Sequence, residues 1–129
     1  NLPVMAEVLS LISSMESLQT RLASDHFRNI LTLLNLAAEE SEIAVKGDVI
    51  SDVSEYQDSY GFILEAKKQS AGLKTAEASA ALLILDSLEV LWTNGVLPPS
   101  KPTSTSKVAK RIGDAIEELI ELQDQSAKR

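Results

Sequence analysis

The chain has 129 residues, of which 44% are hydrophobic and 24% charged, enough apolar material to fill the core of one domain. It contains no cysteine, which excludes disulfides, thiolate metal sites and cysteine nucleophiles. Its formal net charge of −7 argues against a nucleic-acid partner and against anionic membrane surfaces, because binding to either requires clustered cations.

Glycines and short polar residues divide the chain into five predicted helices. The predicted helices cover residues 3–23, 25–46, 49–71, 75–93 and 105–126. The expected helix-ending residues are Gly47, Gly72 and Gly95, and the expected N-caps are Asp25, Asp48 and Thr75. No alternating β-branched run of strand length is present, so the predicted fold is all-α, an up-and-down bundle of four or five helices.

The fourth predicted helix differs from the first three, each of which carries a single apolar stripe. Apolar residues cover most of its circumference, which is typical of a helix surrounded by neighbours. We therefore predict that this helix is central and that Leu83 and Leu88 lie in the core. Its longest apolar run, residues 80–85, is much shorter than the roughly 20 residues of a membrane span.

Residues 96–104 are rich in proline, serine and threonine and form a predicted linker between a four-helix core, residues 1–95, and a C-terminal helix, residues 105–129. The apolar face of that helix has near-heptad spacing. It consists of Val108, Ile112, Ile116, Leu119, Ile120 and Leu122. This face must be buried on the chain's own bundle or on another chain. Because prolines stiffen the linker in an extended form, we predict chain exchange or dimerisation through it.

Phe62 falls outside the apolar stripe of the third predicted helix, among Glu55 and Asp58. Two interpretations remain open. Either Gly61 allows a local kink that turns the ring inward, or the ring is exposed on an acidic face that suits a basic amphipathic partner. Phe62, Glu55 and Asp58 therefore join the C-terminal apolar face as candidate partner-binding residues.

The sequence carries little that predicts catalysis. His26 is the only histidine, and a helical projection places it at the edge of a buried face, whereas a phosphotransfer histidine must be exposed. We therefore predict a structural role. The carboxylates form runs along the helices rather than converging pairs, so no metal site, cofactor or catalytic residue is predicted.

These observations predict a non-catalytic protein-interaction or oligomerisation module with an acidic surface. The expected partner is a protein, and the acidic surface of the chain favours a basic one. The expected assembly is a homodimer. Neither a nucleic-acid partner nor a membrane span is expected. Two alternatives remain: a bundle that binds an apolar small molecule or lipid, and a phosphotransfer module that uses His26. Because the chain begins Asn1-Leu2 rather than with methionine, we expect a processed product or an excised piece.

Overall fold

A computed structural model describes residues 25–73, 75–92 and 98–127. Described residues 25–44 are helical (α1). The elements that follow are β1 (Val45–Lys46), β2 (Val49–Ile50), α2 (Val53–Gly72), α3 (Ala76–Glu89) and α4 (Thr105–Ala127). The predicted all-α fold is confirmed, since the only strands in the described ranges have two residues each. The first predicted helix, residues 3–23, and Gly95 lie outside these ranges.

The connection between α1 and α2 is a small β-hairpin, which the sequence analysis did not predict. Val45 pairs with Ile50 in antiparallel register, and Gly47 takes a positive φ of 66° in the turn, a conformation that glycine adopts without strain. The predicted N-cap Asp48 is wrong: Asp52 caps α2, and its Oδ1 accepts a hydrogen bond from the backbone N of Glu55 at 3.0 Å. The β-branched side chains around the turn explain the hairpin, because they favour extended backbone over helix.

Helices α1 and α2 run antiparallel on either side of this hairpin. His26, early in α1, has its Nε2 3.4 Å from the Oγ of Ser70, late in α2. Glu40, late in α1, has its carboxylate close to that of Glu55, in the first turn of α2. The hairpin therefore fixes which residues of the two helices face each other.

Polar contacts join α2 to α3. The indole Nε1 of Trp92, just after α3, donates to the buried Oγ of Ser59 at 2.7 Å. The Tyr60 hydroxyl donates to Oε1 of Glu89 at 2.8 Å, and the Lys67 ammonium also bonds Glu89. Ser59 meets Trp92 after the end of α3, whereas Lys67, further along α2, also reaches back to Asp86, so this pair of helices is antiparallel as well.

Helix α3 is central in the sense that it packs against both α2 and α4, but it is not buried on all sides. Ala81 and Leu85 are fully buried, whereas Leu83 is 72% exposed. The prediction that Leu83 lies in the core is therefore wrong. Leu83 is two residues from each of the buried positions, about 200° around the helix, and so points away from both neighbours.

Helix α4 packs on the chain's own bundle. Its bounds agree with the predicted helix 105–126, and Val108, Ile112 and Leu119 are at most 3% exposed within the common core. The described part of the preceding proline-rich segment also contacts the bundle. Its Pro102 is buried, and the Thr103 hydroxyl donates to the carbonyl of Leu91 at 2.6 Å, which ties the segment to the end of α3.

Candidate functional site

Three carboxylates converge where α1 and α2 meet near the hairpin. Glu40 comes from α1, and Glu55 and Asp58 come from successive turns of α2. One oxygen from each lies within 4.8 Å of the other two. We call these three residues the carboxylate cluster. The expectation that the carboxylates do not converge is therefore wrong, because it considered each helix separately and the antiparallel pairing brings two acidic runs together.

The cluster contains an oxygen atom with an unusual environment. Oε2 of Glu40 is buried and has no hydrogen-bond partner among the described residues. A buried carboxylate oxygen normally accepts hydrogen bonds, because leaving it unpaired costs roughly 1–3 kcal/mol. Neighbouring carboxylates add like-charge repulsion. An oxygen-rich set of this kind suits a hard cation, which would relieve both costs.

A groove lies beside the cluster on the same face of α2. Its volume is about 350 Å³. We call it the acidic groove. It is lined by Leu33, Gln57, Asp58, Gly61, Phe62 and Glu65. Asp58 belongs to both the groove and the carboxylate cluster, so the two features form one continuous surface where α1 and α2 meet.

The position of Phe62 agrees in part with each of the two interpretations, since the ring is neither fully buried nor fully exposed. Helix α2 runs through Gly61 to Gly72 as one element, so no break turns the ring inward. The ring is nevertheless half-buried and packs with Leu33 against the core. The ring lines the acidic groove together with Asp58, and Glu55 is close to Asp58 in the carboxylate cluster.

Most of the candidate partner-binding residues of the C-terminal helix are not available to a partner. Val108, Ile112 and Leu119 are buried in the chain's own core, so they form no exposed docking face, which corrects that prediction. Ile116 and Leu122 are half-buried and pack against the same core. Only Ile120 among the six is exposed, at 43%. The physical reason is that the face meets α3 within the chain.

His26 is buried, which agrees with its predicted place at the edge of a buried helix face. It is 7% exposed, its Nε2 lies 3.4 Å from the Ser70 hydroxyl, and burial lowers the pKa of its imidazole below the ordinary value. A phosphotransfer histidine has to reach a phosphodonor in solvent, which this geometry does not favour.

Salt bridges and hydrogen bonds between charged residues connect α2 to α3. Lys67 Nζ lies 2.9 Å from Oδ1 of Asp86 and also bonds Glu89. Its hydrogen bonds to Glu89 and then Asp86 raise the pKa of Lys67 to about 12. The hydrogen bonds from Lys67 and then Tyr60 lower the pKa of Glu89. Each charge therefore has an opposite partner, which is the arrangement of a structural ion pair.

None of the helices in the described ranges combines the length and apolarity that crossing a membrane requires. Fold and surface together define a small helical bundle whose notable exposed features are converging carboxylates and a groove. The sequence matches the family described as iron permease-associated 4-helix bundle domain over residues 16–126. The chain therefore belongs to this family, in agreement with the all-α bundle. Comparisons with the curated proteins and with the solved structures found no match.

Proposed function

We propose that the chain is a non-catalytic accessory domain that acts with an iron permease by binding another protein chain. The family description links domains of this kind to iron permeases. A non-catalytic role is supported by the lack of cysteine and by the burial of the single histidine, His26. Binding thus accounts better for the exposed surface than does nucleophilic or acid–base chemistry.

The acidic groove carries this proposal. Its lining combines a half-buried aromatic ring, Phe62, with the exposed carboxylates Asp58 and Glu65. Aromatic anchors contribute most to affinity at protein interfaces, and charges at the edge orient and accelerate association. A second groove, where α1 meets the start of α4, is also bordered by carboxylates, those of Glu39 and Glu42. This favours a basic protein partner over an apolar small molecule.

The partner that we propose is a basic segment of the permease. A homodimer, which the sequence analysis expected, would require a surface other than the buried face of α4. Light scattering over a range of concentrations would reveal self-association. A mass twice that of the chain that returns to one chain when Asp58 and Glu65 are replaced would favour the homodimer over the permease as the occupant of this surface.

The test is binding of the purified domain to the detergent-solubilised permease from the same source. Replacing Asp58 by Asn together with Glu65 by Gln should weaken binding by about tenfold at low salt and by less at high salt. The matched control is the double replacement of Glu117 and Glu121 by Gln on α4, since both are exposed. Equal losses in the two double variants, or no binding to the permease at any salt concentration, would contradict the proposal.

Cation binding by the carboxylate cluster is the second candidate function. It is favoured by the close approach of the three carboxylates and by the buried, unpartnered oxygen of Glu40. In a domain that acts with an iron permease, the cation would be iron as cargo. The readout is the thermal midpoint of unfolding as Fe²⁺ is added without oxygen.

A bound cation should raise this midpoint in the wild type and not in Glu40→Gln. Glu39→Gln is the matched control, because Glu39 is the adjacent residue and is exposed outside the cluster. The same response in both variants, or no response in the wild type, would remove this candidate.

A further inference from the structure

We propose that the occupant of the acidic groove is a basic amphipathic helix of the partner chain, docked along α2. This inference rests on the proposed function, since it names the kind of segment that the partner contributes. Two features of the groove favour such a helix: the spacing of its lining residues on α2 and the open space above Gly61.

The groove residues of α2 have the spacing of a helix–helix contact. Asp58, Gly61 and Glu65 stand at positions i, i+3 and i+7, so they lie on one stripe of the helix. A rise of 1.5 Å per residue separates the two carboxylates by about 10.5 Å along the axis. A partner helix with Lys or Arg seven residues apart, and an apolar residue between them, matches this stripe.

Gly61 provides the space in which such a helix can approach. A Cβ atom built on Gly61 would meet nothing within 4 Å, so the backbone of α2 is open at the centre of the stripe. Phe62 and Leu33 border the same space and offer an apolar wall. An apolar side chain of the partner can therefore lie over Gly61 and contact both of them.

The two carboxylates are available to a cation from outside the chain. Among the described residues, neither Asp58 nor Glu65 forms a salt bridge. Glu65 accepts only a hydrogen bond from Gln69 at 3.2 Å. Charge complementarity therefore selects a basic occupant. The groove offers no cation of its own, so an acidic or purely apolar helix would fit it less well.

The probe is a synthetic helical peptide in which Leu lies between two Lys residues spaced seven apart, and the readout is fluorescence anisotropy. Gly61→Leu fills the groove and should weaken peptide binding by about tenfold or more. Gly113→Leu on α4 is the matched control, because Gly113 is also exposed and open to a Cβ. It should change the affinity by less than about twofold. Gly61→Gln provides a second filler if the leucine variant does not fold.

Three results would overturn the inference. One is peptide binding by both Gly61 variants within about twofold of the wild type. Another is equal binding of a peptide of the same composition with its Lys and Leu positions scrambled. The third is self-association that Gly61→Leu abolishes, which would assign the groove to a second copy.

The permease experiment separates this inference from the proposed function. Permease binding that falls in the double Asp58 and Glu65 variant but does not respond to Gly61→Leu would overturn the helix-docking inference alone. Conversely, peptide binding that depends on Gly61 without any binding to the permease would overturn the proposed function alone.

Discussion

Leu83 and Leu85 lie on the same helix, α3, and give a direct measure of how the bundle is packed. Leu85 is 0% exposed and Leu83 is 72% exposed. Truncating leucine to alanine removes about three methylene equivalents, each contributing ~0.8 kcal/mol when buried. Leu85→Ala should therefore lower the free energy of unfolding by about 2.4 kcal/mol from transfer alone, and by up to about 5 kcal/mol once the cavity is included.

The same truncation at Leu83 should have a small effect. Less than a third of its surface is buried, which limits the transfer contribution to about 0.7 kcal/mol. The slightly higher helix propensity of alanine offsets part of this. We therefore expect Leu83→Ala to be at least about 1.5 kcal/mol less destabilising than Leu85→Ala.

Urea denaturation followed by circular dichroism measures this difference. With an m-value of about 2 kcal/mol/M, the midpoints of the two variants should differ by roughly 0.8 M or more. The two m-values should agree with that of the wild type, so that the midpoints report stability. If Leu83→Ala shifts the midpoint as far as Leu85→Ala does, then the exposed side of α3 is covered and the packing described above is wrong.

Three further perturbations test the polar contacts. Burial lowers the pKa of His26, so its neutral form contributes stability above about pH 6.5 that is lost as the pH falls; His26→Gln should flatten this dependence in urea midpoints measured between about pH 7.5 and 5.5. Trp92→Phe removes the buried donor to Ser59 and should cost about 1–2 kcal/mol, with a double-mutant cycle against Ser59→Ala showing coupling. Lys67→Met should cost at most about 1 kcal/mol. Because Lys67 lowers the pKa of Glu89, this variant should also lose less stability as the pH falls through about 4.5, which acid titration of the thermal midpoint would show.

Local signals predicted the helices where those signals were strong. The predicted N-cap Thr75 is confirmed, since its Oγ1 accepts from the backbone N of Ala78 at 3.0 Å. The C-terminal helix was predicted over 105–126 and is observed over Thr105–Ala127. The capping residue in the first place and the apolar period in the second each point to one element, and no competing local preference intervenes.

The errors occur where pairing between elements decides the outcome. The exposure of Leu83 depends on which sides of α3 are covered, and apolar composition alone does not specify that. The course of the proline-rich segment depends on tertiary contacts, among them the burial of Pro102 and the hydrogen bond from Thr103 to Leu91. The expected stiffness of a proline-rich segment does not by itself determine where the segment leads.

The hairpin between α1 and α2 has consequences beyond the six residues that it spans. Two-residue strands contribute little stability by themselves, but their pairing fixes the register of the two helices. The register places Glu40 against Glu55 and Asp58. One or two turns further along the same helix pair, it places Leu33 beside Phe62. A chain in which the first of these helices ended at residue 46 and the next began at residue 49, as the glycine pattern predicted, would present these residues in a different alignment. The carboxylate cluster and the acidic groove thus both depend on this turn. The β-branched residues Val45, Val49 and Ile50 around Gly47 are a local signal for the hairpin, whereas the helix register that follows from it is set by pairing.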